Sequence, residues 1–366
     1  MSKKLKNIIL IVLSTVFIFG FFIWGLIAPD LEISTSERRP LEKFPKLSIS
    51  TIMSGEFMTD FESYTLDHFP LRDKFRTLKS VTAFYVFGQK DNNDIFIAEG
   101  HASKLDYPLN KDSVNHATDR FQYVYDTYLK DNAGDIYLSV IPDKNYFLAE
   151  KNKYPSVDYK AMISQVRENM PYAQYIDITD KLEISDYYTT DSHWKQEEIL
   201  PVAQHLAENM GVSLNAEYTQ TKALTPFYGV YAGQSALPLK PDTITYLENE
   251  HTKSLQVYDF ETDSYIPVYD TQKLQSNDPY EMYLGGPKSL LVIENPKAET
   301  DKELVIFRDS FASSLTPLIS EGYSKITLVD IRYLAPEMLK NFITVEGQDV
   351  LFLYSTSVMN NSVTIK

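Results

Sequence analysis

Asp191 and His193 flank a single residue in the polar segment TTDSHWKQEE (189–198), just ahead of a helical stretch. A carboxylate so placed can orient an imidazole and leave its second nitrogen free to take a proton. The same residues would also serve as a helix cap with an exposed histidine beside it. The second chemical feature is ELVIFRDSFASSLTPLISEG (303–322), where an apolar strand ends at Phe307 and Asp309-Ser310 stand where a helix begins. A serine at a strand-to-helix turn exposes its hydroxyl beside backbone N–H groups and the positive end of a helix, which can stabilise an oxyanion. Capping by Asp309 or Ser310 is again the alternative. Ser310, His193 and Asp191 together make a complete set for acyl transfer through a nucleophilic serine.

The elements around these residues alternate. DIYLSVIPD, YIDI, ELVIF, KITLVDI and DVLFLYS read as short, continuously apolar strands. Between and around them, DSVNHATDRFQYVYDTYLKDN, DYKAMISQVRENM, KQEEILPVAQHLAENMG, SFASSLTPLISEG and PEMLKNFITVEG read as helices. This order predicts an α/β fold, a parallel sheet with helices on both faces. Both chemical features then fall at or beyond the carboxyl ends of strands, where open sheets place their sites. Residues 212–300, rich in Tyr, Pro and Gly, break the rhythm and read as a loop-rich insertion, of loops and short strands, beside the site.

The amino terminus reads differently. Lys3, Lys4 and Lys6 precede an uncharged run from Ile8 to Ala28. A helix of that length spans about 30 Å, the thickness of a bilayer core. The run is long for a signal peptide and lacks a small-x-small cleavage site, and the lysines place the amino terminus in the cytoplasm. The expected organisation is a cytoplasmic tip and transmembrane anchor (1–30), a Ser/Thr/Pro-rich extended stalk (31–56) and an extracytoplasmic catalytic domain (57–366).

Composition narrows the function. Among 366 residues the net charge is −15, which argues against nucleic acid as a partner. Cysteine is absent, which excludes disulfides, thiolate metal sites, a cysteine nucleophile and a lipoprotein anchor, and fits a Gram-positive surface protein. Six histidines without an HExxH pattern leave no expected metal site, and no cofactor is expected.

The segments SERRPLEKFP, DFESYTLDHFPLRDKF, VIPDKNYFL, TTDSHW, YGVYAG, DPYEMYLGG and IFRDSFASS occur in an order that resembles the DHHW family of bacterial envelope proteins. That family is similar to the SGNH-hydrolase-like proteins that O-acetylate alginate, and more distantly to envelope proteins of lipoteichoic acid D-alanylation. The resemblance implies an SGNH-like fold in which the Asp-x-His loop precedes the serine, with Ser310 as nucleophile, His193 as base and Asp191 as its orienting acid. It also implies a polysaccharide acceptor and a multispanning membrane acyltransferase as partner. Two positions depart from the pattern. Ser192 stands where the family name has histidine, and Arg308 replaces the glycine of the GDS block, beside the oxyanion site.

Further candidates lie at the same sheet edge. Lys144 or Asn145 could face substrate or sit in a capped turn. Gly285 and Gly286 could lend N–H groups to an oxyanion or simply make a turn. Trp194 could stack on a sugar or lie buried. Arg332 and Tyr333 follow a strand end, where Arg332 could form a surface pair. Three activities fit: an O-acyltransferase, most simply an O-acetyltransferase; an esterase on the same triad; and a non-catalytic polysaccharide-binding scaffold.

Overall fold

In a computed structural model, which describes residues 2–366, the chain forms two compact units. One comprises Met1–Asn92 with Ala232–Pro238, and the other Asn93–Tyr231 with Leu239–Lys366.

The first unit opens with the 25-residue helix Lys3–Ile27, which buries none of its side chains and is long and apolar enough to cross a membrane. The segment 31–56, expected to be an extended stalk, is partly ordered into secondary structure. Ile33–Ser34 pairs with Arg39–Pro40, and Ile49–Ser54 is a helix capped by Ser48. Helices Glu56–Asp67 and Arg72–Val81 follow. An ion network joins them to the preceding chain. Arg39 grips Asp67 with both ends of its guanidinium at 2.5 and 2.8 Å, while Arg72 and Arg76 share Glu37.

The second unit is built on a sheet of eight strands: β1 (Ile136–Ile141), β2 (Gln174–Tyr175), β3 (Gln256–Asp259), β4 (Ser264–Ile266), β5 (Leu290–Glu294), β6 (Glu303–Arg308), β7 (Lys325–Val329) and β8 (Asp349–Ser355). Their order across the sheet is β4-β3-β5-β7-β6-β8-β1-β2. From β7 to β2 all neighbours are parallel, whereas β4, β3 and β5 extend the sheet antiparallel. The sheet is therefore mixed rather than purely parallel. The stretch expected as an insertion of loops and short strands contributes those three strands to the main sheet itself, together with a separate hairpin of Thr219–Phe227 and Asp242–Glu248.

Strand residues alternate between two cores because successive side chains leave opposite faces of a strand. Leu304, Ile306, Leu351 and Leu353 face helices Leu200–Asn209 and Ala312–Ile319. Val305, Phe307, Val350 and Phe352 face helices Lys111–Val124 and Tyr159–Asn169. With both faces covered, the strands read as unbroken apolar runs. Asn110 and Asp158 cap the latter two helices. Some boundaries differ from expectation. KQEEILPVAQ starts its α-helix only at Leu200, with Pro201 in the first turn where its missing N–H costs nothing. PEMLKNFITVEG forms only the 3₁₀ segment Pro336–Asn341, and the edge strand Gln174–Tyr175 takes in only the first residue of YIDI.

Phe352 stacks on Phe307 at 5.0 Å and tilts against Phe121 at 5.1 Å, at the centre of one core. Replacing it with alanine should cost about 3–5 kcal/mol. Urea unfolding followed by the fluorescence of Trp194, buried on the opposite face, measures the loss.

Candidate functional site

Ser310 follows β6 in the turn that leads into helix Ala312–Ile319. Asp309 sets that turn. Its carboxylate accepts the Phe311 N–H at 3.0 Å and, through the other oxygen, the Ser355 N–H at the end of β8 at 2.8 Å. One buried side chain thus holds the helix start against two neighbouring strand ends. The Ala312 and Ser313 N–H groups are taken by the carbonyls of Asp309 and Ser310. Among the described residues the Ser310 N–H meets no acceptor, which leaves it as a backbone donor at the helix mouth.

The Asp-x-His loop arrives from 117 residues earlier, and His193 Nε2 lies 2.8 Å from Ser310 Oγ. His193 Nδ1 lies 2.7 Å from Asp191 Oδ1. Since the carboxylate accepts, Nδ1 carries the proton and Nε2 faces the hydroxyl as acceptor. Asp191 is fully buried and its second oxygen accepts the Val230 N–H at 2.9 Å. The imidazole lies between two rings. Tyr280 stacks on it at 3.9 Å and 10°, and Phe311 tilts against it at 5.0 Å. The Tyr280 hydroxyl is bonded to Ser314, and burial raises its pKa well above the usual value, so it stays protonated.

The loop is held from behind. Asp242 accepts four bonds from the N–H and hydroxyl groups of Thr189 and Thr190. Thr190 Oγ1 in turn accepts the Gly229 N–H. Lys144, buried, donates to the carbonyls of Tyr188 at 2.9 Å and Thr189 at 3.4 Å, and its ammonium lies 5.1 Å from the centre of the Tyr231 ring. Gly229 packs so close that a Cβ there would come within 2.3 Å of the Asp191 Cβ.

The other candidates are placed away from the hydroxyl or already engaged. Lys144 supports the loop from inside. Asn145 is spent on Ser103 and the Lys104 carbonyl. Trp194 is fully buried, its indole N–H bonded to Phe311 O and Ser314 Oγ, so its ring offers no face to a sugar. Gly285 and Gly286 are turn residues with φ of 73° and 86°, and the Gly286 N–H is taken by Tyr283 O. Arg308 is fully buried, directed to Ser313 and the Lys288 carbonyl. Arg332 forms a bidentate pair with buried Asp330, not a pair between two surface groups, and half-exposed Tyr333 lies beneath it. Sequence reasoning missed Tyr280, Asp242 and the Gly229-Val230 backbone. DPYEMYLGG and YGVYAG were visible as segments, but only the fold shows which atom each brings to the histidine loop.

No protein-family model matches the chain, and comparison with curated proteins finds no match. Solved structures do match. A DHHW family protein from Eubacterium siraeum superposes with a TM-score of 0.57 at 20% identity, covering 75% of this chain and 95% of that one. The likeness is one of fold. Bacillus cereus PatB1, also solved with a sulfonyl adduct, gives a TM-score of 0.56 at 17% identity, over 72% of this chain and 96% of its own.

Two outcomes follow from the loop's support. Gly229→Ala should displace Asp191 and cost on the order of 10²-fold in kcat of any reaction at Ser310, with KM and the unfolding midpoint less affected. Steady-state kinetics beside urea unfolding separates these effects. Lys144 titrates in the folded chain at about 7, pushed down from 10.5 by burial against the favourable charges of Asp191, Asp242 and Asp143. Between those values the unfolded chain holds a proton that the folded chain lacks, so this group makes stability rise with pH across that window. Lys144→Met should remove that part of the slope when unfolding is compared at pH 7, 8 and 9.

Proposed function

We propose that this chain is a membrane-anchored, extracytoplasmic O-acyltransferase of the SGNH-like class, moving an acyl group, most simply acetyl, onto a cell-envelope or exported polysaccharide. The observation that carries the reading is the 2.8 Å approach of His193 Nε2 to Ser310 Oγ, with Asp191 at 2.7 Å on the far nitrogen. A loop and a turn separated by 117 residues meet in the geometry a nucleophilic serine requires. The fold likeness to a DHHW family protein, and the order of motifs, supply the class.

In this mechanism Ser310 Oγ attacks the carbonyl carbon of an acyl donor as His193 Nε2 takes the hydroxyl proton. The carbonyl oxygen becomes an oxyanion, and the Ser310 N–H at the helix mouth stabilises it. When the tetrahedral species collapses, the donor's leaving group takes the proton from His193 and the acyl group stays on Ser310 as an ester. A sugar hydroxyl then gives its proton to His193 and attacks that ester; as the second tetrahedral species collapses, the bond to Ser310 Oγ breaks, Oγ takes the proton back from His193 and the acylated sugar leaves. Asp191 stabilises the imidazolium in both halves without taking the proton. Tyr280, stacked on the ring, adds its π face to that stabilisation.

Helix Lys3–Ile27 serves as a single-pass anchor with the amino terminus in the cytoplasm. Acetyl-CoA is absent outside the cell, and the resemblance to the DHHW family implies a multispanning membrane partner that passes acetyl across. Arg308 does not block this chemistry, because its side chain is turned into the protein toward Ser313 and Lys288.

Ser310→Ala should abolish the burst of p-nitrophenol that wild-type chain releases from p-nitrophenyl acetate, and Asp191→Asn should lower kcat by about 10⁴. In cells, Ser310→Ala should lower ester-linked acetyl in an envelope polymer to the level of a deletion strain. Raised acetylation would instead identify an esterase. A deletion phenotype that survives Ser310→Ala and His193→Ala would identify a scaffold, and unchanged acetylation on deletion would end the transferase reading.

A further inference from the structure

Helix Arg72–Val81 is amphipathic in the reverse sense for a helix in water. Its inward side is charged and polar: Arg72 and Arg76 reach Glu37 at 2.5 and 3.2 Å, and fully buried Ser80 accepts from Asn92 at 2.9 Å. Its outward side is apolar. Leu71, Phe75 and Leu78 fall on one stripe, which continues through the turn Thr82–Val86 to Tyr85 and Val86. All five are exposed, Leu78 by 61% and Val86 by 71%. A surface helix in water normally turns this stripe to the core, so an outward one marks a surface made for something other than water.

The anchor helix indicates what that is. Phe21 stacks on Phe69 at 5.4 Å and 3°, and meets Phe75 edge-on at 5.8 Å. A Cβ on Gly25 would touch Pro70 at 3.7 Å. Phe21 precedes the end of the helix by nearly two turns, about 10 Å along its axis. If Lys3–Ile27 crosses the bilayer, whatever touches Phe21 lies below the outer surface of the hydrocarbon. The stripe begins at that contact. Exposed Lys74 and Lys79 lie on either side of it, placed to extend to lipid headgroups while their stems stay among apolar groups.

We propose that helix Arg72–Val81 and the following turn lie in the outer leaflet of the membrane, with Leu71, Phe75, Leu78, Tyr85 and Val86 among the acyl chains. The inference rests on the reading of Lys3–Ile27 as a membrane span. A protein partner would also cover an apolar stripe. Lipid is favoured because the stripe starts against the anchor itself, at a depth where acyl chains already surround it.

The chain has no cysteine, so single cysteines can be introduced and labelled cleanly. Full-length protein carrying Leu78→Cys, Val86→Cys, Phe17→Cys or Glu208→Cys is labelled with bimane. Each is placed in phosphatidylcholine–phosphatidylglycerol vesicles with brominated acyl chains. All four positions are exposed, and of the four only Phe17 makes a ring contact, with Phe21 at 4.9 Å. The labels at 78 and 86 should lose more than about half of their fluorescence, as the label at 17 does, while the label at 208 loses less than about a tenth. Quenching at 17 without quenching at 78 and 86 overturns the inference while sparing the anchor, and assigns the stripe to a protein partner or a second copy. No quenching at 17 overturns both.

Discussion

A carboxylate with no exposed surface must have both of its oxygens answered inside the protein, and Asp191 is such a group. One oxygen accepts from the His193 ring and the His193 N–H. The other accepts from the Val230 N–H. This demand brings together the histidine loop and the YGVYAG segment, which are 39 residues apart. It also fixes the imidazole tautomer, since an acceptor on Nδ1 requires the proton there. The direction in which Nε2 points follows from that single buried group, and Ser310 lies in that direction.

Asp191 can do this only if its backbone is rigid, and the loop has little regular structure to make it so. Tyr187 and Trp194 form an isolated bridge across its base. Backbone bonds from Ala102 N–H to Thr189 O and from Tyr231 N–H to Thr190 O tie it to its neighbours, and side chains add the rest. Asp242 fastens two threonines, and Lys144 fastens the carbonyls of the residues before them. Fully buried Asp191 and partly buried Asp242 both favour the charged form of the buried Lys144 beside this short segment, so none of the three is left without an opposite partner. Gly229 is a second constraint of another kind. It is glycine because the Asp191 backbone occupies the space where a side chain would begin.

The strands were legible because a sheet covered on both faces needs unbroken apolar runs, as in ELVIF and DVLFLYS. Ser310 was legible because Asp309 follows such a run and starts a helix. The histidine loop was legible as a pair of residue types at a useful spacing. Tyr280 was not, because stacking on an imidazole leaves no periodic trace in a chain with 26 tyrosines. The strands of 256–294 were obscured by Pro, Gly and Tyr on either side, and their antiparallel pairing depends on β7, which comes later in the chain. Lys144 illustrates a more general difficulty. A lysine after a strand suggests an exposed cation, and its burial depends on carbonyls 44 and 45 residues away.

Arg308 shows how a departure from a motif can be absorbed. A glycine before Asp-Ser leaves space, whereas an arginine brings a charge that burial disfavours, which lowers its pKa. The fold answers with a buried group of balanced charge. Asp330 pairs with Arg332 through two bonds, Asp309 is tied to two backbone N–H groups, and both carboxylates favour the charged form of Arg308. Two arginines and two aspartates leave this cluster neutral, so it adds no net charge beneath Ser310. The helix mouth therefore keeps its own polarity, set by backbone N–H groups, and the Ser310 hydroxyl there lies 2.8 Å from His193 Nε2.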